Sequence, residues 1–171
     1  KQIYIKPVPN GGIIPVGNGT KENPYTSWTI TLNVLRDNDD INIYPGEYDL
    51  GEYTIRIENK TNINIKALNE PYDTYDESKR VILKSNERVM AIEYSTKITL
   101  NGLTLTGKNF PFYKEQPDLY EYYKEHCGGG LLIRHSIETT INHCLFKNNV
   151  APMGAGACMI NSTNSKYYKT T

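Results

Sequence analysis

The chain has 171 residues, and its 19 basic residues balance 19 acidic ones. This length suits one domain with a substantial core. A net charge of zero gives no electrostatic footprint for a nucleic-acid backbone or an anionic membrane surface. No apolar run approaches the roughly 20 residues that a membrane helix needs. We therefore expect no nucleic-acid partner and no insertion into a membrane.

The composition favours β-structure. The chain contains 18 Ile, 16 Thr and 14 Tyr, which fit a pleated, half-buried surface, and its 18 Asn and 13 Gly are typical of turns. Short alternating runs at residues 3–5 and 41–44 predict the first two strands. The chain is therefore predicted to be all-β with frequent turns.

One short helix is predicted between these two strands. Trp28, Leu32 and Leu35 have i, i+4, i+7 spacing, which places them on one helical face. Either Thr26 or Ser27 is a suitable N-cap. Residues 37–40, Asp-Asn-Asp-Asp, follow the helix, and they lack the spacing of a calcium-binding loop, so we interpret them as a turn.

After residue 50 the sequence repeats itself. Residues 57–68 align with residues 92–103 at an offset of 35, and five of the twelve positions are identical. The pattern returns at residues 132–136 and 140–146, with two extra residues between these halves, and a shorter echo covers residues 158–162. Repeats of this length, built from short strands and turns, are typical of solenoids, in which each repeat buries its apolar face against the next.

This alignment predicts two ladders of inward side chains, stacked about 4.8 Å apart. The first ladder comprises Ile63, Ile98 and Ile141, and the second comprises Leu68, Leu103 and Phe146. His143 aligns with core positions in this scheme, which favours a buried histidine or a polar rung over a metal ligand.

The same segments resemble a known family. Residues 17–25, the helix and residues 39–48 resemble the entry segment of right-handed parallel β-helix proteins of the pectate-lyase-like superfamily. Residues 128–133 and 146–149 are similar to the GGxx(I/L) and FxxN repeats of polymorphic outer-membrane adhesins and related surface β-helices. The resemblance covers about residues 3–162. It implies an all-β, right-handed, single-stranded parallel β-helix with an N-terminal capping helix.

We expect one domain over residues 1–171. Residues 1–50 would form the cap and entry strand, and residues 51–171 would form three to four coils with loop insertions at 69–80 and 108–127. Residues 161–171 are polar and offer no cap for the last coil, whereas stacked repeats need polar terminal units. We therefore expect this chain to be the first part of a longer solenoid or to be completed by a partner at its C-terminal end.

The insertions are rich in aromatic residues. Such side chains either pack back on the coil or remain exposed, where they can stack on sugar rings or anchor a protein. The predicted binding residues are Phe110, Phe112, Tyr113, Tyr120, Tyr122 and Tyr123 in the longer insertion, and Tyr72 and Tyr75 in the shorter one.

The sequence contains candidate catalytic bases but no matched set of them. Members of this superfamily that are lyases use a Lys or Arg base, often beside a bound calcium ion. The candidate bases Lys66, Lys84, Arg88 and Arg134 do not occupy matching positions in successive repeats. We expect no catalytic residue and no cofactor.

The chain contains three cysteines and three histidines, which could form a metal site or a disulfide. The adjacent pairs His126-Cys127 and His143-Cys144 would point apart on a strand, which disfavours a metal site. Cys144 and Cys158 could lie on neighbouring coils, close enough for a disulfide if the register allows.

Three acceptor sequons, at Asn18, Asn59 and Asn161, offer weak support for secretion. Together these features predict a non-catalytic, extracellular or cell-surface module, of adhesin or scaffold type. Its aromatic side loops would bind a secreted or surface protein, or a cell-wall polysaccharide. The alternative is the N-terminal portion of a polysaccharide lyase or related carbohydrate-active enzyme.

Overall fold

A computed structural model describes residues 1–8, 15–68, 76–107 and 126–171. Its strands form three sheets, here called A, B and C. Sheet A contains β1 (Gln2–Ile5), β2 (Asp40–Ile43), β5 (Thr61–Ala67), β8 (Thr96–Asn101), β11 (Thr140–Asn142) and β14 (Lys166–Tyr168). Sheet B contains β3 (Gly46–Asp49), β6 (Val81–Lys84), β9 (Leu103–Thr106) and β12 (Leu145–Phe146). Sheet C contains β4 (Ile55–Glu58), β7 (Met90–Glu93), β10 (Leu131–Arg134) and β13 (Ala157–Ile160). One α-helix, α1 (Trp28–Val34), and a 3₁₀ turn (Glu77–Lys79) complete the elements.

From β2 onward the chain visits the three sheets repeatedly in the same order, A, B, C. Each strand pairs in parallel with the strand of the previous visit. The protein is therefore mainly β, as the composition predicts, and its parallel sheets are compatible with a β-helix-like fold. Strands β1 and β2 of sheet A and β3 of sheet B lie within residues 1–50, the segment in which the sequence predicts a cap and an entry strand.

Alternating residues of each strand point inward and stack on their counterparts in neighbouring coils. Ile41, Ile65, Leu100 and Ile141 pair in register along sheet A, and each is fully buried. Burying one such side chain stabilises the fold by roughly 1.5–3 kcal/mol relative to leaving it exposed. These ladders form one continuous apolar cluster from Ile3 onward.

The first predicted ladder is correct for Ile63 and Ile98, which pair at the offset of 35. It is wrong for Ile141, which pairs with Leu100 at an offset of 41. Strands β7 and β10, which precede this corner, are paired at the same offset of 41. No two-residue shift occurs. A strand repeats every two residues, so a shift of two leaves the same face inward and the apolar pattern does not reveal it. Thr139, a polar residue, takes the inward place beside Ile98.

The second predicted ladder is wrong as well. Phe146 pairs with Leu105, not with Leu103. Leu68 lies outside the strands with 37% of its surface exposed, because the chain leaves sheet A before it. His143 is a half-buried corner residue with φ of 52°, so its predicted place in the core is also wrong.

The predicted helix is confirmed. Ser27 is its N-cap, and Ser27 Oγ accepts a hydrogen bond from the Ile30 N–H at 3.4 Å. The buried Trp28 ring meets Tyr48 of β3 edge-on, with ring centroids 6.4 Å apart. Tyr48 is fixed in turn, because its hydroxyl donates to the Tyr44 carbonyl at 2.7 Å. The helix contacts β1 and β4, the first strands of sheets A and C, and so covers the N-terminal end of the core.

Residues 37–40 form the turn that leads into β2. Asp39 Oδ2 accepts a hydrogen bond from the Arg36 N–H at 3.0 Å, and Asp37 Oδ1 accepts one from the Thr61 N–H at 2.8 Å. Asn38 between them has φ of 65°. Two of the three carboxylates thus bind main-chain N–H groups of the turn and the next coil.

The buried position of Thr139 generates a stability prediction. Its Oγ1 is buried and has no hydrogen-bond partner among the described residues. Thr139→Val removes this unpaired hydroxyl at nearly constant volume. We expect the free energy of unfolding to rise by about 1 kcal/mol, measured by urea denaturation. The control is Thr140→Val, at the half-exposed next position, which should change stability by under about 0.5 kcal/mol. Destabilisation by Thr139→Val would contradict this interpretation.

Candidate functional site

The corner between sheets C and A has the same geometry in successive coils. It begins and ends with a residue of positive φ, and none of these residues is glycine. The first position is held by Asn59, Tyr94, His135 and Asn161, and the second by Asn62, Lys97, Glu138 and Asn164. Asparagine tolerates this backbone conformation better than most residues, whereas the other side chains make it costlier.

A ladder of serines fixes these corners against one another. The Lys60 N–H donates to Ser95 Oγ, the Ser95 N–H to Ser136 Oγ and the Ser136 N–H to Ser162 Oγ, at 3.1, 3.2 and 3.1 Å. Each hydroxyl also donates to the carbonyl two residues before it. The serines thereby hold successive corners in register, so that the side chains beside them line up along the stack.

A groove runs along this corner. It crosses successive coils and has a volume of about 490 Å³. Thr99, Thr140 and Lys166 pair in register along one side, on the outer surface of sheet A. The groove is lined by Asn62, Lys97, Thr99, Glu138, Thr140, Asn164, Ser165 and Lys166, and we call it the corner groove. Ser165 Oγ has no hydrogen-bond partner among the described residues.

On the outer face of sheet C, an ion-pair cluster links three coils. Glu93 is 4% exposed, yet it lies on the outward side of β7. Arg56 Nη1 lies 2.7 Å from Glu93 Oε2, and Arg134 forms an ion pair with the other carboxylate oxygen. Arg134, a candidate base in the sequence, is therefore committed to a buried carboxylate.

The other candidate bases are dispersed. Arg88 is buried, and it donates to the carbonyls of Cys127 and Gly128. Lys84 lies 3.7 Å from the Glu47 carboxylate on sheet B, and Lys66 lies on β5 of sheet A. The structure therefore does not bring the four predicted bases into one site.

The Cys144–Cys158 disulfide that the sequence suggested is wrong. The disulfide joins Cys127 to Cys158, whose Cα atoms lie 5.7 Å apart. Cys158 pairs with Leu132 on the outer side of sheet C. Cys144 is buried in the main core as a free thiol, so the two residues lie on opposite sides of the strand layer.

The eight aromatic residues predicted to bind a partner, at positions 72, 75, 110, 112, 113, 120, 122 and 123, lie outside the described residues. The structure does describe how both ends of the longer insertion are fixed. Asn149 accepts a hydrogen bond from the Gly107 N–H at one end and donates to the Leu105 carbonyl at 3.0 Å. At the other end, Arg88 and the disulfide hold Cys127. The asparagine of the FxxN motif thus has an anchoring role.

The glycine motif at residues 128–130 permits a tight turn at Gly128 and a close approach between coils at Gly130. Gly128 has φ of 70°, and a Cβ added there would lie 2.3 Å from the Leu131 carbonyl oxygen. A Cβ on Gly130 would lie 2.5 Å from the Gly156 carbonyl oxygen. The motif therefore has a structural explanation.

Sequence reasoning missed one exposed aromatic pair. The rings of Tyr94 and His135 stack with centroids 5.0 Å apart and 13° between their planes. Both lie at the first corner position, and Tyr94 is 53% exposed. The repeat alignment already matched them, because each directly precedes a ladder serine.

The predicted glycosylation sites are accessible. Asn18, Asn59 and Asn161 are all exposed, and the last two occupy equivalent corner positions. Among the described residues, no group of three or more His, Cys, Asp or Glu side chains is placed to hold a metal ion. No helix in the described part of the chain has the length and apolar character to cross a membrane.

Comparison of the chain with protein-family models, with curated proteins and with solved structures gives no match.

The disulfide generates the second prediction. Its cysteines are 31 residues apart, and a cross-link over such a loop stabilises a fold by about 3–4 kcal/mol through the unfolded state. The double variant Cys127→Ser/Cys158→Ser should lose about that much free energy of unfolding in urea denaturation. Reductant should not affect its melting temperature, whereas Cys144→Ala should remain sensitive to reductant. A reductant-insensitive wild type would contradict the pairing.

The third prediction concerns Cys144. Burial raises the pKa of the Cys144 thiol to about 11, and the thiolate is the reactive form. The native protein should therefore react slowly with a thiol reagent at pH 8, and one thiol per chain should appear after denaturation without reductant. Rapid native labelling, or three thiols after denaturation, would show that this assignment is wrong.

Proposed function

We propose that this chain is an extracellular, non-catalytic, right-handed parallel β-helix module that binds an extended glycan along the corner groove. The single observation that carries the proposal is this groove, which repeats the same type of polar position from coil to coil. The resemblance to surface β-helices supports the handedness and the surface location.

The spacing of the groove suits a linear polymer. Its corner positions, from Asn62 to Asn164, span four coils, or about 14 Å at the spacing of neighbouring strands. The repeat of one coil is similar in length to one sugar unit of an extended polysaccharide. A ligand that lies parallel to the stack would therefore meet equivalent groups in each coil.

The chemistry of the lining suits a glycan. Thr99 and Thr140 offer hydroxyl groups, and Asn62 and Asn164 offer amides that both donate and accept. Lys97, Glu138 and Lys166 add a single net positive charge. Such groups pair with sugar hydroxyls without requiring a strongly charged ligand.

The location is supported by the disulfide and the exposed sequons. Disulfides form and persist in secreted proteins and are rare in the reducing cytosol. Cys127–Cys158 anchors the C-terminal end of the longer insertion to the outer face of sheet C, and such a cross-link persists in an oxidising environment. We propose that the aromatic side loops at residues 69–80 and 108–127 provide a second contact with the same ligand.

The fourth prediction is that the chain binds soluble linear polysaccharides through the corner groove. The probes are xylan, mannan, mixed-linkage glucan and polygalacturonate in affinity gel electrophoresis. The triple variant Thr99→Ala/Glu138→Ala/Thr140→Ala should weaken retention by at least about tenfold, because each lost hydrogen bond contributes about 1 kcal/mol. The control Lys66→Ala, on the same sheet outside the groove lining, should retain binding.

A second pair of variants separates the groove from the loops. Tyr122→Ala/Tyr123→Ala should weaken retention further while circular dichroism and melting temperature remain unchanged. Retention that depends on the tyrosines alone would overturn the groove proposal. Release of unsaturated products from polygalacturonate would favour the lyase, and capture of a surface protein with no glycan bound would favour the protein-binding module.

A further inference from the structure

Tyr94 and His135 form an exposed ring pair on the corner between sheets C and A. Their rings stack with centroids 5.0 Å apart, Tyr94 is 53% exposed, and His135 is exposed as well. A coil lies on each side of the pair, with Asn59 at the same corner position before it and Asn161 after it. The exposure of the rings is therefore a feature of the interior of the stack and does not depend on either of its ends.

The backbone at these positions is unfavourable for a bulky side chain. Tyr94 has φ of 50° and His135 has φ of 49°, both in the left-handed region. The flanking coils have asparagine here, which tolerates this conformation much better than tyrosine does. Stacking of the rings offsets part of the cost, but an exposed ring gains little from burial. Residues held in unfavourable conformations cluster at active sites and ligand-binding sites, so Tyr94 is a candidate for a binding role.

The ring pair lies beside the corner groove. Neither ring belongs to the groove lining. Lys97 and Glu138, which do line the groove, follow Tyr94 and His135 by three residues, a span of at most about 11 Å. Ile137, which is 45% exposed, lies between His135 and the groove residue of the same coil. A group that leaves the groove sideways at this point would therefore meet an apolar side chain and then the rings.

This arrangement suits a sugar branch. A main chain that follows the groove runs from coil to coil, whereas the rings are displaced across that direction, so the main chain alone does not contact them. A short branch extends in the required direction. Aromatic side chains offer a large apolar surface to the C–H face of a sugar ring, and the Tyr94 hydroxyl and the His135 imidazole form hydrogen bonds with sugar hydroxyls.

We propose that Tyr94 and His135 form a subsite for such a branch, so that the ligand of the corner groove is a polysaccharide with short side branches. The inference rests on the proposed function, because the main chain must occupy the groove. It adds the class of ligand, a substituted polysaccharide in preference to an unbranched one.

Calorimetric titration with matched hexasaccharides tests this inference. The probes are xylohexaose, mannohexaose and cellohexaose, each with and without a single-sugar branch. The wild-type protein should bind the branched form of its preferred backbone at least about fivefold more tightly than the unbranched form, because the branch adds an aromatic contact. The groove variant Thr99→Ala/Glu138→Ala/Thr140→Ala should weaken the binding of both forms to the same extent.

Variants at position 94 separate binding from stability. Tyr94→Gly should reduce the preference for the branched form to under about twofold and leave the affinity for the unbranched form unchanged. Because glycine accepts a positive φ, the melting temperature should not fall. Tyr94→Phe, which keeps the ring, should retain most of the preference. The control Tyr53→Ala, at a tyrosine that is 37% exposed between β3 and β4, should leave both affinities unchanged.

Three results would overturn the inference. Equal affinity of the wild type for branched and unbranched forms would remove the branch subsite and leave the groove proposal intact. A preference that survives Tyr94→Gly would exclude the ring pair from the subsite. Binding of none of the hexasaccharides would also contradict the inference, and the retention of polysaccharides in affinity gel electrophoresis then decides the groove proposal separately.

Discussion

The rest of the structure depends on the parallel stacking of coils in a fixed register. Inward side chains such as Ile65, Leu100 and Ile141 lie directly above one another, and they remove nearly all of one strand face from water. A one-residue slip would turn every such ladder outward and is therefore strongly disfavoured. The serine ladder adds a second restraint, because each hydroxyl bridges the main chains of two coils.

This register determines the outer surface as well. Because each coil repeats the path of the one before, outward residues also form rows along the stack. One row supplies the corner groove, in which Thr99 lies beside Thr140. On sheet C, the same regularity brings Arg56 and Arg134 to either side of Glu93. Removing one partner of such a buried ion pair is costly, which makes this cluster a constraint on register rather than a reactive centre.

The sequence predicts the mainly β character and the repetition of short strands, because repeated strands and corner serines are recognisable in the alignment despite few identities. It predicts α1 through the spacing of Trp28 and Leu35. It does not predict the register of the fourth coil, because Thr139 occupies a core position and a shift of two residues preserves the inward face. The error moved Ile141 to the wrong ladder and made Phe146 a neighbour of Leu103.

The candidate site was harder to predict, since it depends on which side of a strand a residue occupies. Cys144 and Cys158 are close in sequence and plausible partners, but one faces the core and the other the outside of sheet C. The corner groove combines short polar residues that are individually unremarkable in any turn. An alignment at the correct offset of 41 matches Lys97 with Glu138 and so indicates the corner groove. The two-residue shift separated these two positions.

Engineered disulfides test this register most directly, in a Cys144→Ala background that retains the native disulfide. The pair Thr99→Cys/Thr140→Cys joins residues that are neighbours in the structure, and neighbouring strands lie about 4.8 Å apart, within the reach of a disulfide. It should oxidise completely, as shown by mass spectrometry of the linked peptides, and the protein should remain folded. The pair Thr99→Cys/Asn142→Cys, which the two-residue shift would favour, should remain reduced. Preferential oxidation of the second pair would contradict the stacking and every surface derived from it.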